Sequence, residues 1–268
     1  MPASKLYAFD TADWDYEYSS MVRGEQPGET YASPCPCYLV DHPEGTVLVD
    51  TGVDPAMVAD PENYGNYGAP QAADHAAAIE TNAGRRASAL LTEVGYSPED
   101  VDVVVLTHLH LDHAGDVKSF ADAEIVVQQA ELEYAWWPAD PFQRDLYLEG
   151  DFGVLRSPEF DVTPVEGRYD VFGDGAIECV PTPGHTAGHQ SVKVDLENEG
   201  TVVLGGDVAF LETAYEADRQ PSFAWDTETA IATTRRLRND AQRWDADVFL
   251  SHDRDHLDAL PEPPAHLD

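Results

Sequence analysis

The chain has 268 residues, of which 43% are hydrophobic, so it is long enough to bury a full core. It carries 51 acidic residues against 15 basic ones, for a formal net charge of −36. Such a surface repels nucleic acid and anionic membranes, and we therefore exclude both as partners.

The acidic residues are spread along the chain in short groups such as SPEDVD and DHLDALPEP, and they do not form one acidic tail. Lysine is scarce. This pattern is typical of a surface adapted to high salt, because at 1 M salt the screening length falls to about 3 Å and self-repulsion is cancelled. We predict a salt-adapted protein, with a strongly acidic protein of ordinary salt as the alternative.

Short apolar runs bounded by turn residues predict strands. In chain order they are CYLVD, TVLVDTG, DVVVL, EIVVQ, IECV, SVKVD, TVVLGGD and DVFLSHD. Three segments have helical spacing: GRRASALLTEVG, QQAELEYAWW and DTETAIATTRRLRNDAQRW. The mixture predicts an α/β protein with sheets flanked by helices. We expect one domain over residues 1–268, with 259–268 as a frayed tail.

Other features bear on assembly and location. Cys35, Cys37 and Cys179 are too few for a disulfide framework and predict buried thiols in a reducing compartment. The N-terminus lacks the basic start and apolar core of a signal peptide, and no window reaches 18 apolar residues, so we expect a soluble cytoplasmic protein. Residues 60–75 are rich in Gly, Pro and Tyr and predict a functional loop or subunit contact. The tyrosines at 64 to 67 indicate a dimer contact, so the protein is predicted to be a monomer or a homodimer.

Potential metal ligands follow four of the predicted strands. Because the ends of neighbouring strands meet at one edge of a sheet, we expect their side chains to converge, at the edge where α/β enzymes bind ligands. The candidates are His108, His110, Asp112 and His113 after DVVVL, His185 after IECV, Asp207 after TVVLGG, and His252 after DVFLS.

These ligand types favour zinc, because imidazole is a borderline ligand and the site offers no all-oxygen cage. Seven ligands are too many for one tetrahedral ion, whereas two ions about 3.5 to 4 Å apart could share Asp207 and a water. We therefore predict two Zn²⁺, with other divalent transition metals as alternatives. A helix cap is the alternative role for Asp207. We interpret His189 and His256 as supporting or surface residues, and His42, His75 and His266 as facing solvent.

The pattern HxHxDH followed by His185, Asp207 and His252 resembles the metallo-β-lactamase superfamily. The resemblance implies an αββα sandwich of two mixed β-sheets with helices on the outer faces. Several segments are similar to the N-acyl homoserine lactonases that degrade quorum-sensing signals: CYLVDHPEGTVLVDTG, THLHLDHAGD, EIVVQQAELEYA, PTPGHTAGHQS and PSFAWDTETAIATTRRL with LSHD. The resemblance covers roughly Leu6 to Asp253.

The resemblance also implies a role for each ligand. His108, His110 and His185 would hold one zinc, Asp112, His113 and His252 the other, and Asp207 would bridge them. A bridging hydroxide would attack the lactone carbonyl, and Asp112 would deliver a proton to the leaving alkoxide. Asp112 and Asp207 are thus the expected catalytic residues, and a small lactone is the expected partner.

The chain departs from these lactonases at one position. They carry a substrate-binding tyrosine three residues beyond the bridging aspartate, where this chain has Phe210. Tyr215 in the same segment is a candidate for the displaced hydroxyl, and ordinary packing is its alternative role.

Three other functions are open from the sequence. A thioesterase of the glyoxalase II kind would share the metal ligands, although it normally needs basic residues for the carboxylate of glutathione. An iron-dependent redox member of the superfamily is a second alternative, disfavoured by the ligand set. A non-catalytic metal-binding scaffold is the third.

Overall fold

Two β-sheets form the centre of the molecule, which the computed structural model describes for residues 1–64 and 71–268. The strands of the first sheet are β1 (Lys5–Glu17), β2 (Thr30–His42), β3 (Gly45–Val49), β4 (Ile79–Glu80), β5 (Val103–Val105), β6 (Glu124–Gln128) and β7 (Asp161–Val165). Their spatial order is β4-β1-β2-β3-β5-β6-β7. The pairs among β1 to β4 are antiparallel, whereas β3, β5, β6 and β7 run parallel.

The second sheet contains β8 (Tyr169–Asp170), β9 (Ile177–Pro181), β10 (Gln190–Leu196), β11 (Gly200–Gly206) and β12 (Asp247–Leu250). Its spatial order is β12-β11-β10-β9-β8, with β11 and β12 parallel and the other pairs antiparallel. Both sheets are therefore mixed.

The described helices are short except for one. They are α1 (Tyr18–Met21), α2 (Pro55–Ala59), α3 (Gln71–Ala76), α4 (Ala87–Leu90), α5 (Gln129–Ala135), α6 (Pro141–Leu146), α7 (Glu149–Phe152), α8 (Glu212–Glu216), α9 (Thr227–Trp244) and α10 (Arg254–Asp258). The Asp226 carboxylate caps α9 by accepting the Thr229 N–H at 2.7 Å, and the left-handed Asp245 (φ 54°) ends it. The predicted helix at GRRASALLTEVG is only α4 followed by a 3₁₀ turn.

One apolar cluster fills the space between the two sheets. Val47 and Val105 of the first sheet and Val192 and Leu204 of the second belong to it, and all are buried. Each fully buried valine or leucine stabilises the fold by about 1.5–3 kcal/mol. The shared core supports the single-domain interpretation, which stays a prediction.

The outer face of each sheet is covered by helices. Leu48 and Ile125 of the first sheet cluster with Leu90 of α4 and Phe152 of α7. On the second sheet, Val203 clusters with Leu237 of α9. The layers are thus helix, sheet, sheet, helix, and the predicted αββα sandwich is confirmed.

The expectation of a frayed tail at 259–268 was wrong. Leu6 and Leu267 form an antiparallel bridge with N···O distances of 2.9 and 3.0 Å, and Leu260 is 5% exposed in the inter-sheet core. The polar composition of LPEPPAHLD gave no sign of these contacts. The buried Leu260 and the bridge between Leu267 and Leu6 hold the segment against the fold.

Three other expectations concern single residues or short segments. The three cysteines are buried and unpaired, as predicted. His42 was expected to face solvent but is buried, stacked on Phe172 with ring centroids 4.6 Å apart.

The predicted dimer contact at 64 to 67 falls mostly outside the described residues. Within the described chain, every helix is too short or too polar to cross a membrane.

Candidate metal centre

The seven predicted ligands converge at one edge of the sandwich. β5 leads into the loop with His108, His110, Asp112 and His113; β9 leads to His185; β11 ends directly before Asp207; and β12 ends just before His252. At the end of β11, Gly206 has φ 58°, and a Cβ there would lie 2.7 Å from His189 Nε2. Glycine is therefore required where the chain turns to present Asp207.

The ligand atoms form three overlapping groups whose members lie within 4.8 Å of one another. Every member is buried. The groups are His108 with His110 and His185; His108 with His113 and Asp207; and Asp112 with His113 and His252. The arrangement thus has two ends, with Asp207 between them.

Distances between ligand atoms match those around a tetrahedral ion, where metal–nitrogen bonds of 2.0–2.1 Å place neighbouring ligand atoms about 3.3 Å apart. Asp207 Oδ2 lies 3.2 Å from both His185 Nε2 and His252 Nε2, and its Oδ1 lies 3.3 Å from His113 Nε2. Asp112 Oδ2 lies 3.4 Å from the same atoms of His113 and His252.

Several of these atoms lack any other bonding partner. Asp112 Oδ2, His113 Nε2 and Asp207 Oδ1 are buried without a hydrogen bond to any described residue. Because an unpaired buried polar atom costs about 1–3 kcal/mol, such a concentration indicates a missing partner. The donor set fits transition-metal ions.

The two ends differ in electrostatics. At the first, burial lowers the pKa of His108 and His185, and lowers that of His110 to about 3, so these rings are neutral as ligands must be. At the second, burial is outweighed by the carboxylates of Asp207 and Asp112, which raise the pKa of His113 and His252. A metal cation bound there would take the place of those protons.

Asp50 anchors the first ligand loop. Its carboxylate accepts the Thr107 N–H at 2.7 Å and the Thr107 hydroxyl at 2.8 Å, and it accepts His113 Nδ1–H at 2.7 Å. The Thr107 hydroxyl also lies 3.0 Å from His108 Nδ1. Asp50 itself has φ 60°, an uncommon backbone conformation for a residue other than glycine, and its side chain points towards Thr107 and His113 of the loop. These contacts fix the ring orientation of two ligands.

Two other ligands are oriented in the same way. His252 Nδ1 lies 2.8 Å from Ser33 Oγ and donates to the Pro34 carbonyl at 3.1 Å. The backbone N–H of Asp207 donates to His189 Nε2 at 2.9 Å. Burial lowers the pKa of His189 to about 4, so its ring is neutral and can accept this bond. His189 is therefore the supporting residue that the sequence predicted.

Glu131 on α5 joins the two ligand loops. Its buried carboxylate accepts the Leu109 N–H at 3.0 Å from the first loop, and from the second it accepts the Thr186 hydroxyl at 2.6 Å and the Gly188 N–H at 3.0 Å. The Tyr147 hydroxyl donates to it at 2.8 Å. Sequence reasoning missed Glu131, although a glutamate on the sheet-facing side of a short amphipathic helix is a signal that could have identified it.

An aromatic wall made of Tyr16, Phe210 and Phe223 borders the ligand cluster. The ring centroid of Phe210 lies 4.3 Å from that of His252 and 5.5 Å from that of His185. Tyr16 lies 5.6 Å from His252, and Phe223 lies 5.9 Å from His185. Beside the wall is a cavity of about 490 Å³, lined by residues that include Trp14, Tyr16, Leu146 and Phe223.

The two candidate substrate residues are separated. Phe210 belongs to the wall, but Tyr215 lies in the cluster between α9 and the second sheet, with Leu237 and Val203. The Arg238 guanidinium sits 5.3 Å from the centre of its ring. Tyr215 is on the face of α8 that packs towards α9, so the structure does not bring it to the ligands.

The sequence matches known proteins over most of its length. Residues 30–252 match the family model described as the metallo-beta-lactamase superfamily. The chain belongs to this superfamily. It is 30% identical to the N-acyl homoserine lactonase AttM of Azorhizobium caulinodans over 271 residues, with 98% of each chain covered. It is 31% identical to an N-acyl homoserine lactonase of a Bacillus species over 253 residues, with 94% of each covered.

Solved structures give the same result. An N-acyl homoserine lactone hydrolase with its product N-hexanoyl-L-homoserine bound at the catalytic metal centre has a TM-score of 0.83, 27% identity and full coverage of both chains. A dizinc quorum-quenching lactonase, AidC, shares the fold with a TM-score of 0.65 at 15% identity, covering 94% of this chain and 91% of its own. The predicted superfamily, its resemblance to the lactonases and the class of metal-dependent hydrolase are confirmed.

Proposed function

We propose that the protein opens the ring of N-acyl homoserine lactones or related lactones at a centre of two zinc-class ions. The proposal rests on one observation: seven buried candidate ligands converge into two groups of ligand atoms, and Asp207 lies between the groups. His108, His110 and His185 would hold one ion, Asp112, His113 and His252 the other, and Asp207 both. The lactonase relatives, matched over nearly the whole chain, support the substrate class.

Two bound ions would supply a Lewis acid for the carbonyl and would lower the pKa of water towards neutrality. In lactone hydrolysis, water adds its oxygen to the carbonyl carbon, the bond from that carbon to the ring oxygen breaks, and one proton must reach the ring oxygen. Asp112 would take up the proton that the attacking water loses and pass it to the ring oxygen, since its carboxylate lies beside His113 and His252, where the second ion would be held. Phe210 covers His252 and His185 with an apolar ring that excludes water.

The acyl chain would lie in the cavity beside the aromatic wall. Its volume of about 490 Å³ falls within the usual range for small-molecule sites. Trp14, Leu146 and Phe223 supply apolar surface there, whereas Asp145 and His75 supply polar groups. The cavity thus suits an amphipathic small molecule.

A substrate panel tests the proposal. Zinc-loaded protein would be assayed with an N-acyl homoserine lactone, a glutathione thioester and a phosphotriester, with products identified by mass spectrometry. We expect ring-opened acyl homoserine as the main product. Preferential thioester hydrolysis would instead support the glyoxalase II alternative, and iron as the only activating metal would support the redox alternative.

We also propose that the surface is adapted to molar salt, since a net charge of −36 repels itself over a screening length of about 10 Å at 0.1 M. The melting temperature should rise steadily between 0.1 and 3 M sodium chloride, measured by differential scanning calorimetry at fixed metal content. A melting temperature independent of salt would contradict this proposal.

We further propose that the partner of the protein is a small molecule and that the protein is a cytoplasmic monomer or homodimer.

A further inference from the structure

Tyr16 places a phenol beside the ligand cluster. It lies near the end of β1, two residues after Trp14 on the same face, and the two rings stack with centroids 4.6 Å apart. Its ring packs in edge geometry against Phe210 and His252, with ring centroids 5.9 and 5.6 Å away. Tyr16 also lines the cavity proposed for the substrate. Tyr16 therefore contacts the candidate ligand His252 and the Phe210 ring, and it also lines the cavity.

The hydroxyl of Tyr16 has no hydrogen bond to another described residue, whereas those of Tyr147 and Tyr64 do. The Tyr147 hydroxyl donates to Glu131 at 2.8 Å, and the Tyr64 hydroxyl donates to Asp54 at 2.7 Å. Burial raises the pKa of Tyr16, and the carboxylates of Asp112 and Asp207 raise it further, so the phenol keeps its proton. The Tyr16 donor is thus left free for a bound molecule.

Ester hydrolysis builds negative charge on the carbonyl oxygen, and a preorganised donor aimed at that oxygen stabilises the transition state. The other two members of the wall, Phe210 and Phe223, cannot donate a hydrogen bond. The Phe210 ring packs edge-on against that of Tyr16, with ring centroids 5.9 Å apart. The phenol of Tyr16 therefore borders the same candidate ligand, His252, as the Phe210 ring does.

We propose that Tyr16 donates the hydrogen bond to the substrate's carbonyl oxygen as the lactone opens, a bond that neither Phe210 nor Phe223 can donate. The inference rests on the proposed lactone hydrolysis. It makes Tyr16 a catalytic residue of that reaction, and it assigns Tyr215 no part in it.

The test compares four proteins with the wild type, all loaded with zinc: Tyr16→Phe, Phe210→Tyr, the double variant, and Tyr215→Phe as the matched control. Tyr215 suits this purpose because its hydroxyl likewise has no hydrogen bond to a described residue, but it lies away from the candidate ligands. Bound zinc, melting temperature, kcat and KM for N-hexanoyl homoserine lactone would be measured for each. Tyr16→Phe keeps the ring and its stacking, so the metal content and fold should be unchanged.

We expect Tyr16→Phe to lower kcat about tenfold with little change in KM. The loss is smaller than the 10²–10³ typical of an oxyanion donor, because a metal at the same oxygen supplies part of the stabilisation. Phe210→Tyr should restore most of this loss in the Tyr16→Phe background and give a smaller gain in the wild type, which is the non-additivity expected of two donors serving one oxygen. Tyr215→Phe should stay within twofold of wild type.

The outcomes separate the two proposals. If the wild type opens lactones and Tyr16→Phe matches it, the role of Tyr16 is refuted while the proposed function stands. A Tyr16→Phe protein that loses zinc or melts earlier, without rescue by Phe210→Tyr, would show a structural role and also refute the inference. A wild type that does not open lactones would overturn the proposed function itself.

Discussion

The ligand cluster and the aromatic wall lie side by side but are built in different ways. Each ligand follows a strand end, and outer partners such as Asp50, Ser33 and Glu131 hold the ligands or their loops by hydrogen bonds of 2.6–3.0 Å. The wall is assembled from β1, the loop after β11 and the loop before α9, and it is held by ring contacts. The cluster is thus fixed by hydrogen-bond geometry, whereas the wall is fixed by packing.

This difference has a consequence for function. Rigid ligands suit a metal centre, which needs its donor atoms within a few tenths of an ångström. A packed wall tolerates substitution as long as volume is kept, so exchanges between Phe and Tyr in it should leave the fold intact. The proposed role of Tyr16 depends on this packing, because its ring is positioned by contacts with Trp14 and Phe210.

The largest effect is expected from the residue between the two ends of the cluster. Asp207→Ala removes the carboxylate that contacts His185, His252 and His113, so two cations would face each other without a shared anion. We expect bound zinc, measured by plasma mass spectrometry, to fall from two to one or fewer, with kcat/KM lowered about 10³-fold or more. Asp247→Ala, at an exposed position in the same sheet, is the control. Full metal content and activity in Asp207→Ala would contradict a bridging role.

A smaller loss should follow from cutting the link between the ligand loops. Glu131→Ala leaves the Leu109 and Gly188 N–H groups and the Thr186 hydroxyl without their acceptor, which should lower the free energy of unfolding by about 3 kcal/mol. Zinc affinity, measured by competition with a chelator, should fall about 10- to 100-fold. The exposed Glu133→Ala on the same helix should do neither. Unchanged zinc affinity in Glu131→Ala would mean that the loops are positioned independently.

The sequence predicted the cluster better than the wall for a physical reason. HxHxDH is a local pattern, and the other ligands sit directly after apolar runs, so strand ends alone bring them together. Tyr16 reaches the site only because β1 pairs with β2, placing Tyr16 opposite Tyr31, and because Phe210 packs against it from a distant loop. The same holds for the C-terminal segment, whose pairing with Leu6 depends on a contact 261 residues apart (267 − 6). The sequence predicted Asp50 only as part of a strand and gave no sign of its hydrogen bonds to the ligand loop.

The smallest effect concerns Asp151, which lies outside both regions. Its carboxylate is buried, neither oxygen has a hydrogen bond to a described residue, and burial raises its pKa well above the usual value. The folded state therefore binds this proton more tightly than the unfolded state, so the stabilisation is complete below about pH 4 and is lost as the pH rises towards the folded-state pKa.

Asp151→Asn should remove that pH dependence. Relative to wild type, the variant should gain about 1–3 kcal/mol of unfolding free energy between pH 4 and pH 8, measured by denaturant titration. The exposed Asp122→Asn should show no such trend. A stability difference that stays constant with pH would show that Asp151 ionises alike in both states.

Titration of metal-free protein with zinc would show whether the ligand cluster works as a two-metal lactone hydrolase. Bound zinc and the opening of N-hexanoyl homoserine lactone would be measured on the same samples. Activity is expected to reach its full value only as the second equivalent binds. Full activity at one equivalent, or two bound ions with no lactone opened, would contradict it.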